Sequence, residues 1–192
     1  DDFGAGYTSM QQIIEYTADT IKLDRALVEN LAREEMLPAL VAALGIEKPI
    51  LIGHSDGGSI ALICAGARPE LPLAVAVMAP HEFVEAETLA GIRAARKVWD
   101  ETDWPQKLAR HHQDAPRVFS DWNDCWLSPA FRDWNIEDYL RKITCPVLAI
   151  QGEDDEYATM RQIDVIADNV PGTVLLKLPN CGHSPHRDQE AA

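Results

Sequence analysis

Lysine and arginine are scarce in this chain of 192 residues: 17, against 31 aspartates and glutamates, for a formal charge of −14. A phosphate backbone is held by clustered Lys and Arg, which are absent here, so nucleic acid is not an expected partner. No apolar run approaches the roughly 18 residues of a membrane span, and no basic stretch followed by an apolar one opens the chain as a secretory signal would. No membrane partner is expected. Cysteines are few: Cys64, Cys125, Cys145 and Cys181 lack the paired spacing of a metal site. A chain of this length builds a core without disulfides, so they read as free thiols in a cytoplasmic protein. His111 and His112 have no second ligand pair at useful spacing, and neither a metal nor another cofactor is expected. An initiating Met is also missing, as the chain opens on Asp1, which suggests a fragment or a processed product.

The remainder is ordinary globular material, 46% hydrophobic and 25% charged, with the length of one domain. Four short apolar runs, 49–53 (PILIG), 73–78 (LAVAVM), 146–151 (PVLAIQ) and 173–178 (TVLLKL), suit strands buried on both faces. Helical patterns separate them. Residues 31–44 place Leu31, Leu37, Leu40, Val41 and Leu44 at helical spacing, with Gly45 as the stop and Pro38 as a kink or first turn. Residues 57–67 form a small-residue helix, and another lies near 157–169. The stretch from Glu85 to Lys142 is polar and helical and holds all five tryptophans, Trp99, Trp104, Trp122, Trp126 and Trp134. One or two of them are expected to line a pocket and the rest to pack. Strands alternating with helices predict an α/β fold with a parallel, doubly wound sheet.

Gly53-His54-Ser55-Asp56-Gly57 follows the first of these strands and leads into a helix. This is G-x-S-x-G in its required context: small flanking residues let a sharp strand-to-helix turn close and present the serine hydroxyl. The Asp56 N–H, at the start of that helix, faces the position where an oxyanion would develop. A serine hydroxyl is a poor nucleophile until a base takes its proton, and the base needs an orienting carboxylate. Glu153-Asp154-Asp155-Glu156 follows the third strand and His183 the fourth, both on the sheet edge that carries Ser55. A carboxylate and an imidazole thus follow the serine in the chain order this chemistry needs.

Residues 34–190 resemble an α/β-hydrolase of the esterase or lipase type, on the segments LPALVAALGIEKPILIGHSDGGSIAL, CPVLAIQGEDDEY and LPNCGHSPHRDQ. The resemblance implies Ser55 as nucleophile, His183 as general base and then acid, and Asp155 as orienting acid, with Asp154 second in line. Glu153 and Glu156 read as solvated members of an acidic run. It implies an acyl-enzyme route to a small-molecule carboxylic ester, and a helical cap over the site at residues 81–142. A serine at the nucleophile position sets the chain apart from the dehalogenase and epoxide-hydrolase branches. Thioesters, lactones and carbon–carbon bonds are cleaved by the same apparatus, and a silent hydrolase-like binding module is the competing reading. His54 and His81 are expected to touch substrate, although a purely structural role for His54 is an equal expectation.

Residues 1–31 read differently. DDFGAGYTSM and DTIKLDRALVENL resemble a stretch of the EAL-type cyclic-di-GMP phosphodiesterases, in which aspartates matching Asp1 and Asp2 bind metal and a strand matching Lys22 and Asp24 follows. The glutamate signature and the rest of that barrel are absent, so dinucleotide hydrolysis is not expected. Asp1-x-x-Gly4-x-Gly6 also resembles a loop found early in α/β-hydrolases. The expected organisation is a fused foreign segment over 1–31 and an N-terminally incomplete hydrolase over 32–192, without the early strands and the HG-type oxyanion loop. Loss of those strands exposes the flank of the nucleophile strand. The alternation of Ile21 and Leu23 with Lys22 and Asp24 suits a half-exposed edge strand, and a homodimer formed through this region is expected.

Overall fold

The computed structural model describes residues 45–189 together with two short strands, β1 (Asp2–Phe3) and β2 (Lys22–Leu23), which pair in parallel. The helix expected over 31–44 lies outside the described residues, as does most of the proposed N-terminal segment. Gly45 is described, at φ 67°, the left-handed conformation in which helices commonly stop.

The core is a four-stranded parallel sheet in the order β3 (Ile50–His54), β4 (Ala74–Met78), β5 (Val147–Gly152), β6 (Val174–Leu178). Each strand falls within a residue of the apolar run that predicts it. Gly53 pairs with Val77, Met78 with Ile150 and Gly152 with Leu178, so all four strands end along one edge. Val75, Val77, Val147 and Ala149 fill the two inner strands and are essentially inaccessible. Helix α1 (Asp56–Ala67) lies against β3 and β4 through Gly58, Ala61, Leu62 and Ala65; small side chains let it approach the sheet closely.

Between β4 and β5 the chain is helical, as its composition predicts. It forms α2 (Ala86–Glu101), α3 (Trp104–Leu108), α4 (Ala115–Leu127), a 3₁₀ turn at Pro129–Phe131, and α5 (Glu137–Leu140). Asp114 caps α4 by accepting the Arg117 N–H at 3.1 Å. The end of this segment joins the core, because Ile136, Leu140 and Ile143 pack with Leu62, Val147 and Ile166. Burying side chains of this size stabilises the fold by about 1.5–3 kcal/mol each.

Helix α6 (Arg161–Asn169) covers β5 and β6 with Ile163, Val165 and Ile166. It begins four residues later than the pattern at 157–169 predicts, since nearby side chains hold the preceding backbone. The Gln151 amide donates to the carbonyls of Ala158 and Thr159, and Glu85 accepts the Thr159 N–H at 2.7 Å. A short α7 (Pro185–Asp188) closes the described chain. Among the described residues β3 is an outer strand, with Ile50 and Ile52 exposed. No described helix is long and apolar enough to cross a membrane.

Candidate active site

Ser55 sits between β3 and α1 at φ 54°, ψ −126°, a conformation that costs a non-glycine residue about 1–3 kcal/mol. Hydrogen bonds hold it there. Its N–H donates to Met78 O at 2.9 Å, and its carbonyl accepts from Gly58 at 2.8 Å and Ser59 at 3.2 Å. Gly53 is required by close approach, as a Cβ there would lie 2.1 Å from Gly57 O. Gly57 meets no such limit among the described residues, where a Cβ at that position has nothing within 4 Å.

Two other loops arrive at this serine. Asp155, beyond β5, has a fully buried carboxylate that accepts the Tyr157 N–H at 2.9 Å. Both of its oxygens face His183 Nδ1, at 2.9 and 3.0 Å. His183, in the loop beyond β6, places Nε2 2.9 Å from Ser55 Oγ. A carboxylate only accepts, so Nδ1 carries the hydrogen and Nε2 is left with the lone pair that faces the hydroxyl. The series carboxylate–imidazole–hydroxyl is therefore continuous. The structure brings together Ser55, Asp155 and His183; Asp154, by contrast, is exposed and contributes its backbone N–H to Cys181 O at 2.9 Å. Glu156, expected to be merely solvated, accepts the His183 N–H at Oε2 (3.2 Å) and so steadies the same loop.

The histidines named by the sequence are both here, in different surroundings. His54 is half-buried and its Nε2 donates to His183 O at 2.7 Å. Burial lowers its pKa and outweighs the hydrogen bond to the His183 carbonyl, which acts to raise it. His81 is almost fully buried, and its backbone is held by Ser59 Oγ, which accepts its N–H and donates to its carbonyl. Its ring lies nearly parallel to that of His183, centroids 6.0 Å apart. Burial pulls the His81 pKa down to about 4.

One group had no signal in the sequence. Glu82 is wholly buried, and neither carboxyl oxygen has a hydrogen-bond partner among the described residues. Burial, reinforced by Glu85 and Glu137, holds its pKa well above the usual carboxylate range. The Gln162 amide pins the adjoining backbone, accepting the Glu82 N–H at 2.8 Å and donating to Phe83 O at 3.2 Å.

A cavity of about 300 Å³ opens beside Ser55, and His54, Asp56 and His81 all line it. Three of the five tryptophans, Trp104, Trp122 and Trp126, form part of its wall, more than the one or two expected. Helix α2 presses on the loop that carries Asp155: a Cβ on Gly91 would fall 2.4 Å from Glu156 O and 2.9 Å from Tyr157 Cδ1.

A parallel sheet whose C-terminal edge carries a strand–serine–helix turn, with a carboxylate and an imidazole reaching it from later strands, defines the α/β-hydrolase architecture. The chain belongs to the alpha/beta hydrolase family, whose model matches residues 12–192. It is 29% identical over 152 residues to the serine hydrolase BPHL of Homo sapiens, covering 77% of this chain and 52% of that protein. To the 2-hydroxy-6-oxononadienedioate/2-hydroxy-6-oxononatrienedioate hydrolase of Comamonas testosteroni it is 23% identical over 191 residues, covering 86% and 66%. The chain thus spans between half and two thirds of the length of these curated relatives. Among solved structures, an alpha/beta fold family hydrolase from Bacillus anthracis str. Sterne superposes with a TM-score of 0.62 at 16% identity, over 90% of this chain and 74% of the other. That likeness is one of fold.

Proposed function

We propose that this chain hydrolyses carboxylic esters of small molecules through an acyl-enzyme intermediate. The observation that carries the reading is the unbroken hydrogen-bonded series from Asp155 through His183 to Ser55, each step 2.9–3.0 Å. In the first half-reaction Ser55 Oγ bonds to the ester carbonyl carbon while His183 Nε2 takes the hydroxyl proton. The negative charge that develops on the carbonyl oxygen is met by the Asp56 N–H at the start of α1. Collapse expels the alcohol, which leaves with the proton from His183. Water then repeats the sequence: it gives a proton to His183, attacks the acyl carbon, and releases the carboxylic acid as Ser55 regains its proton. Asp155 keeps the imidazole in the tautomer that accepts from serine and stabilises its cationic form. Four free cysteines accord with a cytoplasmic setting.

The test pairs turnover with labelling. Short-chain nitrophenyl esters are to be cleaved, and a serine-directed phosphonate is to abolish cleavage while modifying Ser55 alone. Absence of both turnover and labelling would overturn the reading in favour of a binding module. Cleavage of carbon–carbon or thioester substrates without ester turnover would move the reaction class while keeping the residue roles.

A further inference from the structure

The rings around the cavity form an open circuit, two series of contacts that meet at His183. From His183 the contacts run to Tyr157 (centroids 4.8 Å apart) and on to Trp122 (6.4 Å). Trp126 lies one turn further along α4, and from it the path returns through His81 (5.0 Å) to His183 (6.0 Å). Every member of this circuit lines the cavity beside Ser55. Phe119, one turn before Trp122, extends the wall inwards and is braced by Trp99, stacked on it at 4.1 Å with planes 4° apart. Eight of the thirteen lining residues carry an aromatic or imidazole ring, and Ile92, Leu108 and Val118 are the aliphatic members. Such rings favour another ring at offset or edge-on geometry, with centroids about 4.5–7 Å apart.

The same wall has little to offer a charge. No lysine or arginine lines the cavity among the described residues. His81 stays neutral down to about pH 4 and supplies no cation. A volume of about 300 Å³ stands at the small end of small-molecule sites, which span about 300–1,000 Å³. The Comamonas relative, by its name, acts on a doubly carboxylated chain; a molecule of that kind would meet no lysine or arginine among the described lining residues.

We infer that the cavity selects esters carrying a single uncharged aromatic ring close to the ester group, and discriminates against saturated rings and carboxylates. This substrate class rests on the hydrolase reading above. Benzyl acetate against cyclohexylmethyl acetate, and ethyl phenylacetate against ethyl cyclohexylacetate, compare rings of similar size with nearly equal leaving groups. The aromatic member of at least one pair is expected to show a kcat/KM at least 10-fold higher, and 4-(acetoxymethyl)benzoate to fall at least 100-fold below benzyl acetate. Trp122→Leu and Trp126→Leu are expected to bring the aromatic-to-saturated ratio towards one. Turnover of both pairs at equal efficiency, or of the carboxylate as well as its neutral parent, overturns the inference and leaves the hydrolase reading standing. A second measurement is independent of turnover: tryptophan fluorescence of the Ser55→Ala chain, titrated with each ester. Saturable quenching by benzyl acetate, and none by the cyclohexyl analogue at equal concentration, supports the aromatic cavity even if no ester is cleaved. Equal response to the two overturns it.

Discussion

His54, the residue before Ser55, holds the loop that carries His183: its Nε2 donates to the backbone carbonyl of His183 at 2.7 Å. One bond thus spans 129 positions of sequence and fixes the distance between the Ser55 turn and the His183 loop. We expect His54→Ala to lower kcat about 10- to 100-fold, the usual consequence of displacing a reacting group by about 1 Å. His54→Gln is expected to recover most of that loss, because its amide can still donate to the carbonyl. Equal losses in the two variants would assign the effect to the imidazole and not to the tether.

Ser55→Ala and His183→Ala are each expected to cost on the order of 10⁶ in kcat, with the double variant losing little more, since members of a triad act as one unit. Circular dichroism is to show an unchanged fold in all three. Additive losses would show that the two residues do not share a step.

Asp155→Asn is expected to cost on the order of 10⁴ in kcat, because an amide in that position stabilises the wrong histidine tautomer. Asp154→Asn, on an exposed residue that bonds among the described residues through its backbone N–H, is expected to change little. Steady-state kinetics of the two variants ranks them; the reverse order would move the acid by one residue.

Adjacent residues impose opposite pH demands on the fold. His81, with its pKa at about 4 folded against 6.5 ordinarily, binds its proton more readily when unfolded, so its contribution is lost as pH falls from 6.5 towards 4. The full effect is on the order of 3 kcal/mol, at 1.36 kcal/mol per pKa unit. Glu82, raised above 4.5, stays protonated in the fold while the unfolded chain ionises, so stability falls as pH climbs above 4.5. Glu82→Gln is therefore expected to stabilise the protein at pH 8 and to leave it unchanged below pH 4.5. Urea unfolding at pH 4, 6 and 8 tests both limbs, and a Glu82→Gln gain that is independent of pH would refute the assignment.

We propose a homodimer associating through the outer face of β3, where Ile52 is 71% and Ile50 57% exposed. Light scattering coupled to size-exclusion chromatography is expected to give twice the 21.3 kDa chain mass at micromolar concentration, and Ile52→Lys to shift it towards monomer. A single 21.3 kDa species in the unmodified protein would overturn the proposal.

Apolar runs and one motif were enough to locate the four core strands and the turn at Ser55, because burial on both faces leaves an unmistakable continuous pattern. The sequence order put a carboxylate run and His183 in two loops that the structure brings to Ser55, and the family resemblance singled out Asp155 within that run. What escaped detection depends on tertiary contact. Glu156 looks like any residue of an acidic run until its carboxylate is seen to accept the His183 N–H. Glu82 looks solvated until its neighbours close over it. The late start of α6 is decided by Gln151, on the preceding strand, and Glu85, 74 positions from Thr159, which take up the backbone of 158–159. Periodicity has no access to such bonds.

The helices between β4 and β5 contribute no atom to the hydrogen-bonded series, yet α3 and α4 carry most of the aromatic wall. On the proposed function, bond-breaking and substrate choice fall to different segments of one chain. A different helical segment grafted between β4 and β5 could redirect selectivity while leaving the Ser55, Asp155 and His183 loops in register. The graft has two conditions: Ile136, Leu140 and Ile143 must stay in the core, and a glycine must stand at position 91. Any side chain at that crossing would strike Glu156 O and lever the acid loop away from its histidine, so an interchangeable cap must still cross that loop on a glycine.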